Sequence, residues 1–210
     1  MAITFPYDIL PSGAPFWSVD FDLLWRQEQS RTAGGQTIVK DLGSPLWQGT
    51  WQSRSMRPNE LDQWRARFKL LENGLNQFYG RPSSRCYPIA YPAGVGMGTV
   101  TGLQVDTIDS SRKAIRIKNM PAGYTGKVGD YIQIGTGNLH QVMEDFTASG
   151  LGLSPLFEIR PHLWPLTAVN DAVAVVEPRC LMTLVPGSLS TTTELSTGRG
   201  AITFQAMESR

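Results

Sequence analysis

The stretch Pro58-Asn-Glu-Leu-Asp-Gln-Trp-Arg-Ala-Arg-Phe-Lys-Leu-Leu-Glu-Asn73 decides the fold of this 210-residue chain. Leu61, Trp64, Phe68 and Leu71 recur at spacings of three and four, which sets them on one face of a helix. Pro58 suits the first helical turn, where its missing N–H costs nothing, and Asn59, Glu60 and Asp62 favour the positive end of the dipole. Arg65, Arg67 and Lys69 follow toward the negative end, and Gly74 can take the left-handed conformation that closes a helix.

Outward from this helix the pattern changes period. Short β-branched and aromatic runs bounded by Gly, Pro, Asn or Ser predict strands at Phe16–Leu24, Thr37–Val39, Trp47–Ser53, Thr99–Val105, Ala114–Ile117 and Tyr131–Ile134. Others follow at Gln141–Phe146, Leu156–Arg160, Ala172–Val176, Cys180–Leu184 and Ala201–Met207. In the last, Ile202, Phe204 and Ala206 share one face. One amphipathic helix on a β-rich chain covers a sheet. The expected fold is therefore mainly β: an N-terminal β-sandwich-like domain with a covering α-helix at about 58–73, plus a small β-barrel-like module.

Composition shifts after Pro88–Pro92, at Ala93-Gly-Val-Gly-Met-Gly98, and again at Glu177-Pro178. These breaks predict an N-terminal domain at 1–93, a small β-module at 94–177, and C-terminal strands at 178–210 that return to the first domain. Residues 187–200 read as a Ser/Thr/Gly loop.

The chain is 41% hydrophobic and 18% charged, with a formal net charge of +1. That is too apolar for disorder and too balanced for a protein that lives on nucleic acid. The N-terminus does not read as a signal peptide, and the run Ala172–Val176 is far too short to span a membrane. Cys86 and Cys180, without a CxxC motif, read as reduced apolar residues. Residues 51–118 hold eleven Lys/Arg against five Asp/Glu, and the rest eight against thirteen. Such a split is either a solvated face or a pair of complementary surfaces between subunits.

Signatures of chemistry are sparse. His140 and His162 belong to no HExxH motif, and no GxSxG elbow is present. Gly94, Gly96 and Gly98 form GxGxG without a following lysine or helix, which argues against a phosphate cradle. Asp130, Glu144, Asp145 and Glu158 are candidate carboxylates only if the fold gathers them. The expectation is no enzyme, no cofactor and no metal. The aromatics point elsewhere: Phe5, Tyr7, Phe16 and Trp17 lie in a proline-broken arm too apolar to be left in solvent.

Taken together, the strand Trp47-Gln-Gly-Thr-Trp51, the helix Asn59–Gly74 and the stretch Asn76-Gln-Phe-Tyr79 with Pro82 resemble the N-terminal domain of distal tail proteins of long-tailed bacteriophages. The stretches Val128–Gly135, Leu139–Val142 and Glu158–Leu163 look like the module that many such proteins carry, and Gly200–Glu208 is similar to their closing strand. The Pro/Tyr-rich stretch Cys86–Pro92 departs from the family's spacing. The resemblance implies a structural virion protein of the tail tip, made in the host cytoplasm, forming a homohexameric ring that joins tail tube to hub or baseplate. Its implied neighbours are the tail tube, hub and tape-measure proteins, with genomic DNA passing through the lumen unread and no membrane anchor.

The expected interface uses the arm (Phe5, Tyr7, Phe16, Trp17) and the basic helix face (Arg65, Lys69), so removal of residues 1–15 should leave a folded subunit that assembles poorly. The alternative is a carbohydrate-binding host-recognition module whose exposed aromatics would be Tyr124, Tyr131 and Trp164.

Overall fold

The computed structural model describes residues 4–11 and 14–209. Its strands are β1 (Phe16–Leu24), β2 (Gln27–Arg31), β3 (Thr37–Asp41) and β4 (Leu46–Ser53), followed by the helix α1 (Pro58–Lys69) and β5 (Phe78–Gly80). The middle of the chain forms β6 (Gln104–Ile108), β7 (Ala114–Lys118), β8 (Thr125–Gly126), β9 (Tyr131–Ile134), β10 (Asn138–Val142), β11 (Phe146–Thr147), β12 (Phe157–Arg160) and β13 (Val173–Ala174). The last strands are β14 (Cys180–Leu184), β15 (Ser190–Thr193) and β16 (Gly200–Glu208). The fold is mainly β with one α-helix.

The first sheet runs β1-β4-β16-β14-β5, with β15 beside the start of β16. Alternation explains its two faces. In β16, Ile202, Phe204 and Ala206 point inward, while Thr203 and Gln205 pair with Gln52 and Thr50 on β4. The helix lies over the inward face. Leu61, Trp64 and Phe68 are buried there, each contributing about 2 kcal/mol through apolar burial. Phe204 is the centre of the packing: Trp51 stacks on it at 5.2 Å and Phe68 tilts against it at 4.7 Å.

The helix stops at Lys69, earlier than its apolar period implies. Leu71 still packs in the core, but Glu72 and Asn73 turn left-handed (φ 47° and 54°) in a short 3-10 turn, and the Asn76 side-chain amide donates to the Leu70 carbonyl. Gly74 is required there. Its φ is +103°, and a Cβ would lie 2.5 Å from the Leu184 carbonyl oxygen.

The second sheet runs β13-β9-β10-β12-β7-β6. It nearly closes into a barrel, because Gln104 bridges Ala172 and the Val173 N–H donates to the Leu103 carbonyl at 2.8 Å. Ile115, Ile117, Ile132, Ile134 and Phe157 fill its interior.

The boundary between these cores is tight. Leu139 of β10 is buried in the first core, and the Trp47 indole N–H donates to its carbonyl at 2.8 Å. The chain passes from sheet to barrel after Gly80 and returns before Cys180. At these passages the buried Arg81 bonds Glu177 at 2.6 Å and donates to the Leu10 carbonyl at 2.7 Å.

Several expectations need correction at this level. The strand predicted at Thr99–Val105 begins only at Gln104, because Gly98 and Gly102 take positive φ and turn the chain first. The run predicted at Gln141–Phe146 splits: β10 starts at Asn138 and ends at Val142, and β11 is separate. Within the supposed Ser/Thr loop, Ser190–Thr193 form a strand that pairs with Thr203–Gly200.

Candidate functional site

Between Leu24 and Leu46 the chain makes a projection that the body of the protein does not cover. The β1–β4 ladder, from Phe16↔Ser53 to Leu24↔Leu46, continues past a kink at Gly43 (φ 139°) into the β2–β3 ladder, Gln27↔Asp41 to Arg31↔Thr37. The Leu42 N–H donates to the Arg26 carbonyl across the kink. Thr32 closes the tip, its hydroxyl accepting from the Gln36 N–H and its carbonyl from Gly35. The result is one long ribbon.

Every residue of β2 and β3 is exposed, on both faces. Paired positions place Gln29 with Val39 on one face, and Ser30 with Ile38 and Glu28 with Lys40 on the other. Val39 and Ile38 are more than half exposed, as are Trp25 and Leu42 at the root. A two-stranded ribbon with no face buried is marginal in water. Its exposed apolar residues make it the candidate interaction surface of the described residues. No sequence motif singled it out.

The arm behaves differently from its expectation. Phe5 and Trp17 are exposed, but Tyr7 is half-buried and bridges Phe78, with its N–H donating to Gln77 and its carbonyl accepting from Tyr79. Ile9 and Leu10 are buried in the first core. The arm is therefore part of the chain's own sheet and core, and residues 4–11 cannot be removed without opening both. Phe16 is also corrected. Only 2% exposed, it packs edge-on against Trp64 and Phe68 and has no surface for a partner. Residues 1–3 and 12–13 of the arm lie outside the described residues.

On the helix, Arg65 is half-buried, pairs with Asp62 at 3.0 Å and donates to the Thr193 hydroxyl. Lys69 is exposed, and Arg67 lies over the Trp64 ring at 4.5 Å. The ribbon carries exposed charges of both signs, Arg26, Glu28, Arg31, Lys40 and Asp41, with Glu28 opposite Lys40.

A second feature lies between β1 and the barrel. A cleft of about 350 Å³ is lined by Asp20 and Phe21 from β1, Ser84 and Arg85 from the chain after β5, and Tyr131 and Gln141 from the barrel. Asp130, between the lining residues Gly129 and Tyr131, accepts from the Ile89 and Lys127 N–H groups at 2.7 and 2.8 Å. Burial holds the Asp130 carboxyl above its usual range, against the pull of those two donors and of Arg85. Burial also raises the Tyr131 phenol.

The remaining candidate residues are spread through the fold. His140 is buried in β10 and its Nδ1–H donates to the Pro161 carbonyl at 2.8 Å. His162 sits in the loop after β12, its pKa lowered by desolvation and then by Arg160 and Lys113. Asp145 pairs with Lys127 and Glu158 with Arg160, while Glu144 is exposed. Among the described residues no group of three or more His, Cys, Asp and Glu is placed to hold a metal ion, and no helix is long and apolar enough to cross a membrane. The Cys86 thiol donates to the Ser83 carbonyl at 3.6 Å, and the buried Cys180 thiol to the Gly80 carbonyl at 3.8 Å. The aromatic platform expected for sugar is corrected too: Tyr124 is 3% exposed, closed in by Tyr91 and Phe146, so the trio Tyr124, Tyr131 and Trp164 presents no common surface.

No protein-family model matches the chain, and no curated protein matches it.

Proposed function

We propose that the protein is a self-assembling structural subunit, a ring component at the distal end of a bacteriophage tail that joins the tail tube to the hub. The observation that carries this reading is the ribbon of β2 and β3, exposed on both faces and apolar at Ile38 and Val39. Such an element gains its stability when it packs on another subunit. The resemblance of the chain to distal tail proteins supplies the ring, the hexamer, the lumen that DNA traverses and the tube, hub and tape-measure neighbours.

Closed rings use a heterologous contact, one surface of a subunit against a different surface of the next. In this reading the ribbon, apolar at Ile38 and Val39, packs on the helix side, with Arg65, Arg67 and Lys69, of the neighbouring copy, where Glu28 and Asp41 supply acidic contacts from its two faces. Trp17 and Phe5 extend the contact, and the structural role requires no catalysis or cofactor. The test is the mass of the purified protein in solution, over a concentration series at low and high salt. The reading expects a discrete closed oligomer that salt loosens. A monomer for the wild type, and equally in the presence of purified tail tube protein, would reject it.

A further inference from the structure

The cleft between β1 and the barrel holds polar groups that the fold leaves uncommitted. Asp20 and Arg85 line the same space, yet neither forms an ion pair, with the other or with any described residue. The Ser84 and Tyr131 hydroxyls make no hydrogen bond among the described residues, and Gln141 spends only its amide N–H, on a long 3.4 Å contact to Gly129. These groups come from three separate parts of the chain and meet only in the fold. Together they offer a carboxylate that accepts, a guanidinium that donates in a plane, and an amide and two hydroxyls that do both.

The charge pattern selects the ligand class. The opposite charges of Asp20 and Arg85 offset each other in the cleft, so a molecule without net charge and with many donors and acceptors is favoured over a phosphate, a carboxylate or an amine. Apolar surface is present but small: Phe21 lines the cleft together with Val19, Ile89 and Val128. A volume of 350 Å³ lies at the low end of small-molecule sites, which run from about 300 to 1,000 Å³. That suits a single ring bearing hydroxyls around an apolar face.

We propose that this cleft binds one neutral sugar residue of a glycan. Asp20 accepts from adjacent ring hydroxyls, Arg85 and the Tyr131 hydroxyl bond their oxygens, and Phe21 contacts the C–H face of the ring. The site is distinct from the ribbon, and it does not depend on the assembly reading.

The full chain is tested by saturation-transfer NMR and titration with glucose, galactose, mannose, rhamnose and N-acetylglucosamine, with acyclic sorbitol as control. At least one sugar is expected to give saturable transfer that sorbitol does not. Its affinity should fall at least tenfold in both Asp20→Ala and Arg85→Ala, two exposed positions whose variants keep the wild-type melting temperature, and stay unchanged in Trp164→Ala. The proposal is overturned if none of the five sugars binds saturably, if sorbitol binds as well as they do, or if either cleft variant loses less than tenfold. A ribbon variant such as Val39→Lys separates the two readings, because it alters assembly and leaves sugar binding in place.

Discussion

Arg81 and Glu177 meet at 2.6 Å where the chain enters and leaves the barrel, and the same guanidinium holds the Leu10 carbonyl. One buried side chain thus ties together the N-terminal arm, the start of the passage to the barrel and its end. The Trp51 indole N–H adds a further tie, to the Arg81 carbonyl at 3.2 Å. Removing one partner of such a pair strands a buried charge or a buried acceptor.

The Arg81→Ala variant should therefore lose about 3 kcal/mol of stability, toward the lower end for buried pairs because a third of Glu177 is exposed. Glu177→Gln should lose less than Arg81→Ala, since it keeps an acceptor for the guanidinium. Urea unfolding of both proteins checks the order; equal losses would show that the charge of Glu177 alone carries the tie and that the bond to Leu10 adds nothing.

Phe204 is the densest aromatic contact in the first core, with Phe16, Trp51, Phe68 and Phe78 around it. Phe204→Ala should cost about 3–5 kcal/mol, the range for large buried aromatics truncated to alanine. Trp17→Ala, at an exposed position of β1, should change stability by less than about 0.5 kcal/mol. Thermal melts distinguish the two directly.

Deleting residues 1–11 should destabilise the monomer, because Ile9 and Leu10 leave the core and Tyr7 leaves the edge of β5. The two buried side chains alone represent about 4 kcal/mol of apolar burial. A truncated chain with an unchanged unfolding midpoint would show that the arm contributes nothing to its own subunit.

Stability should also fall in mild acid through His162. Its folded-state pKa lies below the ordinary 6.5, so the unfolded chain binds the proton more readily. The contribution is intact above pH 6.5 and is lost as pH falls from 6.5 toward the lowered folded value. Desolvation is the leading cause, with Arg160 and Lys113 next. His162→Gln should flatten that part of the stability profile between pH 7 and 5; a slope identical to that of the wild type would assign it to other groups.

Elements that bury one face were legible in the sequence. Phe16–Leu24, Tyr131–Ile134 and Cys180–Leu184 have the bounds their apolar alternation implies, and the helix face of Leu61, Trp64 and Phe68 is the buried one. Elements that bury nothing were not. Gln27-Glu-Gln-Ser-Arg31 carries no apolar alternation and is a strand only because Thr37–Asp41 lies beside it. Ser190–Thr193 is likewise held by its register on β16. The proline-broken arm looked like an interface because apolar residues signal burial without saying against what, and Ile9 and Leu10 found their cover within the chain. The cleft was invisible for a related reason: Asp20, Arg85 and Tyr131 are brought together by tertiary structure, and none stands in a motif.

The ribbon is the centre of the functional reading, and light scattering on the wild type beside the double variant Ile38→Lys, Val39→Lys tests it most directly. Both substitutions fall on exposed positions, so the variant should fold as the wild type does. The wild type is expected to form a discrete closed oligomer, and the variant a monomer with unchanged circular dichroism. An oligomer of the same mass in both proteins would contradict the assignment of the ribbon as the assembly element.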